Sequence, residues 1–220
     1  MKTIIVIILG FFLITGCKTK RLTKDIKKEF TNCFEGKNTN IRSLINIDGY
    51  YLLQHLEKWC WGPENNCKDT FNINIIFYED GTFVYNFFSR YDYPKDIPGY
   101  LKKVYQNAEN NHFYYGFYWG IYRIEGDTII AQYLNHTNGM APWIARERWF
   151  KVIDRNTLEC IFSKPIGGGE LAEFQKKAWE ESMTKYLPAQ FIPLEVIPPP
   201  NCWLKEREWF WCNKRNQVKN

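Results

Sequence analysis

Three pairs of alternating segments, each closed by a short turn, constrain this chain more than any other feature in it. Phe71 to Tyr78 alternates through Ile73, Ile75 and Phe77, Asp80-Gly81 supplies a tight turn, and Thr82 to Phe88 returns with Phe83, Tyr85 and Phe87 on one face. A second hairpin runs from Gly116 to Ile124, turns through Gly126-Asp127 and returns over Thr128 to Leu134. A third runs from Trp143 to Ile153, turns at Asp154-Arg155-Asn156 and returns over Thr157 to Ser163. Ile47 to Leu53 predicts a first strand. Phe191 to Ile197 predicts a last one, which Pro193 confines to an edge because proline donates no ladder hydrogen bond. Helical spacing of apolar residues predicts helices at Gly99 to Asn110 and Glu170 to Tyr186, and a short one at Leu204 to Trp211. Together these segments predict a mainly β fold: an antiparallel up-and-down barrel of about eight strands, or a strongly bent sheet, with one or two flanking helices.

Such a fold needs a core, and the composition supplies it. Of 220 residues 45% are apolar, including 16 Phe, 14 Tyr and 9 Trp, which excludes a disordered chain. A single domain of this size buries about 70% of the surface that its unfolded chain exposes.

The amino terminus carries a separate signal. Lys2 precedes an apolar stretch from Ile4 to Thr15, then come Gly16-Cys17 and the basic residues Lys18, Lys20 and Arg21, the layout of a secretory signal. As a helix that stretch reaches about 18 Å, short of a hydrocarbon core of roughly 30 Å. Leu13-Ile14-Thr15-Gly16-Cys17 resembles the lipobox of bacterial lipoproteins. The resemblance implies that residues 1–16 are a signal peptide cleaved before Cys17, that Cys17 receives a thioether-linked diacylglycerol, and that the new amino terminus is open to a further acyl chain such as palmitate. Two or three chains anchor a protein durably, since each buried methylene contributes about 0.8 kcal/mol. The implied location is the bacterial cell envelope, the chain being exported and lipid-anchored at the outer membrane or cell surface. An ordinary cleaved signal and an uncleaved anchor are the other readings of these residues. Residues 17–40 read as a basic tether, either solvated or lying on anionic headgroups, and residues 41–220 as the barrel domain with a C-terminal helical extension.

Export places the remaining cysteines in an oxidising compartment, where disulfides persist. Cys60 and Cys67 flank a turn-rich stretch and form one candidate local pair, and Cys202 and Cys212 a second. Cys160 lies on the face of Leu158 and Phe162, as a buried free thiol or bonded to Cys33. No Cys-x-x-Cys occurs, and His55, His112 and His136 are dispersed, so no metal site is expected.

Asp48-Gly49-Tyr50-Tyr51, Glu79-Asp80-Gly81-Thr82-Phe83 and the run from Gly116 to Ile129 resemble the lipocalin-like domains of small bacterial lipoproteins. The lipocalin first-strand signature has Trp two residues after its Gly, where this chain has Tyr51. The barrel fold and a role in holding small molecules are what the resemblance implies.

Motifs for catalysis are missing. None of Ser43, Ser89, Ser163 and Ser182 sits in Gly-x-Ser-x-Gly, and Gly167-Gly168-Gly169 lacks the Lys and Ser/Thr of a phosphate loop. Glu147, between Arg146 and Arg148, is expected in a cross-strand ion pair. The positive feature is aromatic density on the strands. It either fills the barrel or lines a cavity for one apolar or amphipathic molecule, with Tyr85, Phe117, Trp119, Tyr133 and Trp149 as candidate ligand contacts. The expectation is therefore a membrane-anchored binding protein with no catalytic residues, cofactor or nucleic-acid partner. The alternative is an interaction or structural lipoprotein whose packed barrel meets another envelope protein.

Overall fold

The structure, a computed structural model, describes residues 30–56, 59–60, 67–68, 71–85, 96–106, 118–135, 144–166 and 185–215. Ten strands follow in chain order: β1 (Gly49–His55), β2 (Trp59–Cys60), β3 (Cys67–Lys68), β4 (Phe71–Phe77), β5 (Thr82–Tyr85), β6 (Tyr118–Glu125), β7 (Thr128–Asn135), β8 (Ile144–Asp154), β9 (Thr157–Ile166) and β10 (Ala189–Pro193). The described residues also hold two short helices, α1 (Ile97–Gln106) and α2 (Cys212–Arg215). Eight of the strands close into an antiparallel barrel in the order β1-β10-β9-β8-β7-β6-β5-β4, and β2 with β3 forms a small separate ladder. The predicted up-and-down barrel is the observed one. Closure leaves no edge, so β10 is not the edge strand that Pro193 suggested. Its pairing with β9 covers Ala189 and Gln190, and Pro193 lies beyond that contact, paired to Gly49 of β1 on its other side, where no donor toward β9 is needed.

The three predicted tight turns all lie at one end of the barrel. Gly81 takes φ of +90°, a conformation that costs glycine little, and the Asp80 carboxylate accepts hydrogen bonds from the Thr82 amide and hydroxyl at 2.9 and 2.6 Å. A 3-10 turn at Ile41–Ser43 plugs this end with fully buried Ile41 and Ile45. Above it a cluster of rings fills the lumen: Phe77 lies 5.4 Å from Tyr122, 5.8 Å from Phe83, 6.1 Å from Tyr51 and 6.2 Å from Phe150. The opposite end, open among the described residues, is where the connections through residues 56–70, 86–117, 136–143 and 167–188 run, most of which lie outside the described residues. The predicted helix from Glu170 falls almost wholly outside the described residues, and α1 begins two residues before its predicted start.

A second core lies on the outside of the barrel. Ile76, Val84, Trp119, Ile121 and Leu134 point outward, where Phe30, Phe34, Trp203, Leu204 and Phe210 cover them. Residues 30–40, expected in the tether, are in part folded onto the barrel: Phe30 is 1% exposed, Phe34 is buried, and the Thr39 hydroxyl hydrogen-bonds Tyr122. Phe34 accepts and donates backbone hydrogen bonds with Cys212 and Phe210, at 3.0 and 2.7 Å. That pairing sets Cys33 beside Cys212, and the two form a disulfide. The expected Cys202–Cys212 bond is thus corrected. Two 3-10 turns, Trp203–Glu206 and Glu208–Phe210, separate those cysteines, and Cys202 is a free thiol buried in the outer core. Cys160 is the buried free thiol of the two readings it had. Cys60 and Cys67 stand directly opposite each other in the β2–β3 ladder, the register that their expected pairing needs.

Candidate ligand site inside the barrel

Strand alternation puts Arg146 and Arg148 of β8 on the luminal face and Glu147 and Trp149 on the outer one. Arg148 is buried in the half of the lumen nearer the open end. Its guanidinium lies 4.8 Å from the centre of the Tyr85 ring and 4.9 Å from that of Tyr186. Nε donates to the Tyr133 hydroxyl at 3.2 Å, Nη2 to the Tyr186 hydroxyl at 2.9 Å, and Nη1 reaches the Cys160 sulfur at 3.6 Å. One N–H on each terminal nitrogen is left without a hydrogen bond among the described residues.

Around this charge the lumen is built of phenols. The Tyr85 and Tyr133 rings stack at 4.4 Å, Tyr118 stands 6.5 Å from Tyr133, and Tyr186 packs on His55 at 4.3 Å. Burial pushes the hydroxyls of Tyr85, Tyr118 and Tyr186 and the Cys160 thiol upward, so all four are neutral near pH 7. A guanidinium does not lose its proton in a protein. Arg148 is therefore a buried cation that no carboxylate meets among the described residues. Directly across the ladder on β9, Ser163 is 4% exposed and its Oγ has no hydrogen-bond partner.

Outside the same strand the polar groups are satisfied. Glu147 accepts hydrogen bonds from Gln132 at 2.6 Å and Trp149 at 2.9 Å, and pairs at 3.5 Å with Lys164, its cross-strand neighbour. Burial alone would raise this carboxyl, but those bonds and the lysine charge hold it below its ordinary value. Gln132 also binds the N-terminal strap, accepting from the Asn32 amide at 2.9 Å and donating to the Thr31 hydroxyl at 2.5 Å.

Of the five candidate ligand contacts, Tyr85 and Tyr133 meet in the lumen. Trp119 faces outward, stacked on Tyr78 at 5.8 Å, and Trp149 faces outward against Phe162 at 5.0 Å. Phe117 lies outside the described residues. The two tryptophans were misplaced because β6 and β8 carry rings on both faces, and only the outer core reveals which face is which. Arg148, Arg146 and Ser163 were missed, although an arginine at both i and i+2 of a strand was legible as two cations on one face. Two depressions, of about 300 Å³ beside Arg42, Asp48 and Pro200 and of about 270 Å³ beside Asp96 and Leu194, are not lined by Arg148, Tyr85 or Tyr133. No known protein family, curated protein or solved structure matches this chain.

Proposed function

We propose that this chain is a lipid-anchored protein of the bacterial envelope whose barrel holds an amphipathic small molecule in the half of the lumen nearer its open end. The lipobox-like residues ending in Cys17 support the anchor, and the closed barrel supports the container. The observation that carries the reading is the division of the lumen. The plugged half is filled by Phe77, Phe83, Phe150 and Tyr122, whereas the open half carries phenols around a buried cation, a combination that packing alone does not call for. Rings contact an apolar body while hydroxyls and a charge orient a polar head.

Native mass spectrometry of the full chain, purified after export, tests this. A reproducible non-covalent increment that disappears on denaturation is the expected result. An intact, disulfide-bonded mass without increment after incubation with envelope lipid extract overturns it. The anchor has its own measurement: Cys17→Ala abolishes fatty-acid labelling, and persistent labelling defeats that part.

A packed interaction barrel is the second reading, favoured by one feature of the outer surface. A bulge between Trp149 and Phe150 of β8 leaves Ile161 of β9 unpaired, so Ile161 and Phe162 both face solvent, 42% and 38% exposed, beside Trp149. Loss of envelope-protein crosslinks in Phe162→Ser, with no bound small molecule in the parent chain, is the result that this reading requires.

A further inference from the structure

We infer that the polar head of the ligand is a carboxylate, bound by Arg148 together with Ser163. This rests on the proposed role of the barrel as a container for an amphipathic molecule, and specifies what that molecule must carry. Three independent observations meet at one place. Arg148 holds a permanent charge in the lumen without an acidic partner among the described residues. Among the described residues its two terminal nitrogens each keep one donor unused, and two parallel donors are what a planar carboxylate accepts. Ser163, across the ladder on the same face, is buried with an unpartnered hydroxyl that can donate to a carboxylate oxygen.

The Tyr186 hydroxyl marks the place. It accepts from Nη2 at 2.9 Å while its ring lies against the guanidinium, so the phenol borders the donors that Arg148 keeps unused. Tyr186 belongs to the segment that enters β10 from the open end and is bridged to His55 at the end of β1. Arg146, on the same face two residues nearer that end, adds positive potential along the approach. The groups facing Arg148 are Tyr85 from β5, Tyr133 from β7, Cys160 and Ser163 from β9, and Tyr186; burial raises Tyr85, Cys160 and Tyr186 and keeps them neutral near pH 7, and no carboxylate stands among the described groups. Arg148, the one fully buried cation among the described residues, fits a monoanion. The phenol rings of Tyr85, Tyr133 and Tyr118 fit the apolar chain that follows it.

The test uses the full chain in phosphatidylcholine nanodiscs, with empty nanodiscs as reference, and dodecanoate and dodecanol as probes. Dodecanoate is expected to bind at least about tenfold more tightly than dodecanol. Arg148→Met brings dodecanoate down to the dodecanol level while dodecanol changes less than about threefold, and Ser163→Ala weakens dodecanoate alone. Carbon-13 NMR of carboxyl-labelled dodecanoate reads the same contact in the unaltered chain and in Arg148→Lys, so the result does not depend on the methionine variant folding. The bound carboxyl is expected to titrate at least one pH unit below its value in empty nanodiscs, by less in the lysine variant, which keeps the charge but loses the fork. Equal binding of both probes, with the carboxyl titrating as in empty nanodiscs, overturns carboxylate recognition and leaves the container role standing. Binding of neither probe overturns both.

Discussion

Glu147 shows how a single residue links the N-terminal strap, through Gln132, to pH. Its folded value lies below the ordinary glutamate range, so it contributes stability that is fully present above that range and is lost as pH falls through the folded value. The melting temperature of the unaltered chain is expected to fall as pH drops below the ordinary glutamate range, and Glu147→Gln to flatten part of that fall while lowering stability near pH 7 by about 1 kcal/mol. Thermal melts across that range check both. Cys202 is the second residue with a measurable consequence. Burial pushes its thiol up to about 12, so peptide mapping after maleimide treatment at pH 8 is expected to find it unlabelled in the folded chain and labelled after denaturation. Gly120 is the third, because a Cβ there would lie 2.0 Å from the Gln132 carbonyl oxygen of β7. Gly120→Ala must push β6 from β7 and is expected to cost more than 2 kcal/mol in denaturant unfolding.

At the scale of elements, the N-terminal strap and the C-terminal extension depend on each other. Phe34 stacks on Phe210 at 5.5 Å and meets Trp211 edge-on at 4.8 Å, Lys205 pairs with Asp80 of the β4–β5 turn at 2.6 Å, and the Cys33–Cys212 disulfide joins residues 179 apart in sequence. A crosslink that closes so long a loop removes much of the unfolded chain's freedom, worth about 3 to 5 kcal/mol on the chain-entropy account. Cys33→Ser with Cys212→Ser is expected to lower unfolding free energy by roughly that amount, and Phe34→Ala by about 3 kcal/mol. In both variants hydrogen exchange should rise first at residues 30–36 and 203–212, with the β6–β8 amides still protected. Uniform loss of protection would show that the strap is part of the barrel's own cooperative unit.

For the whole molecule, the cost of holding a cation inside the barrel separates a structural arginine from a binding one. Arg148 forfeits its hydration and recovers ring contacts, one good phenol hydrogen bond and longer contacts to Tyr133 and Cys160. Replacing such a charge with an apolar side chain of similar length is commonly neutral or stabilising, since the desolvation penalty disappears. Arg148→Met is therefore expected to leave the melting temperature of the ligand-free chain unchanged or raise it, measured by calorimetry. A loss of more than about 2 kcal/mol would mean that the ring sandwich is there for stability. A residue retained at a cost to the fold is the pattern of a functional site.

By itself the sequence determined the local structure. Period-two alternation and the Asp80-Gly81, Gly126-Asp127 and Asp154 to Asn156 turns specify antiparallel hairpins through nearest-neighbour geometry alone. That information is short-range, so the hairpins, the first strand and the barrel class were legible, whereas the last strand, expected over Phe191 to Ile197, is Ala189–Pro193 and shares three residues with that expectation. Which face of each strand points inward was decided by the tertiary structure, because β4 to β7 are covered on both sides and are apolar on both. Covering the outer face is the work of residues 30–34 and 203–210, which lie at opposite ends of the domain and meet only when the barrel brings β6 and β7 beneath them. For the same reason the partner of Cys212 and the placement of Trp119 and Trp149 could not be had from spacing. Arg148 in a ring of tyrosines is likewise an arrangement of β5, β7, β8 and β9 in space, since its contacts come from residues 85, 133, 160 and 186.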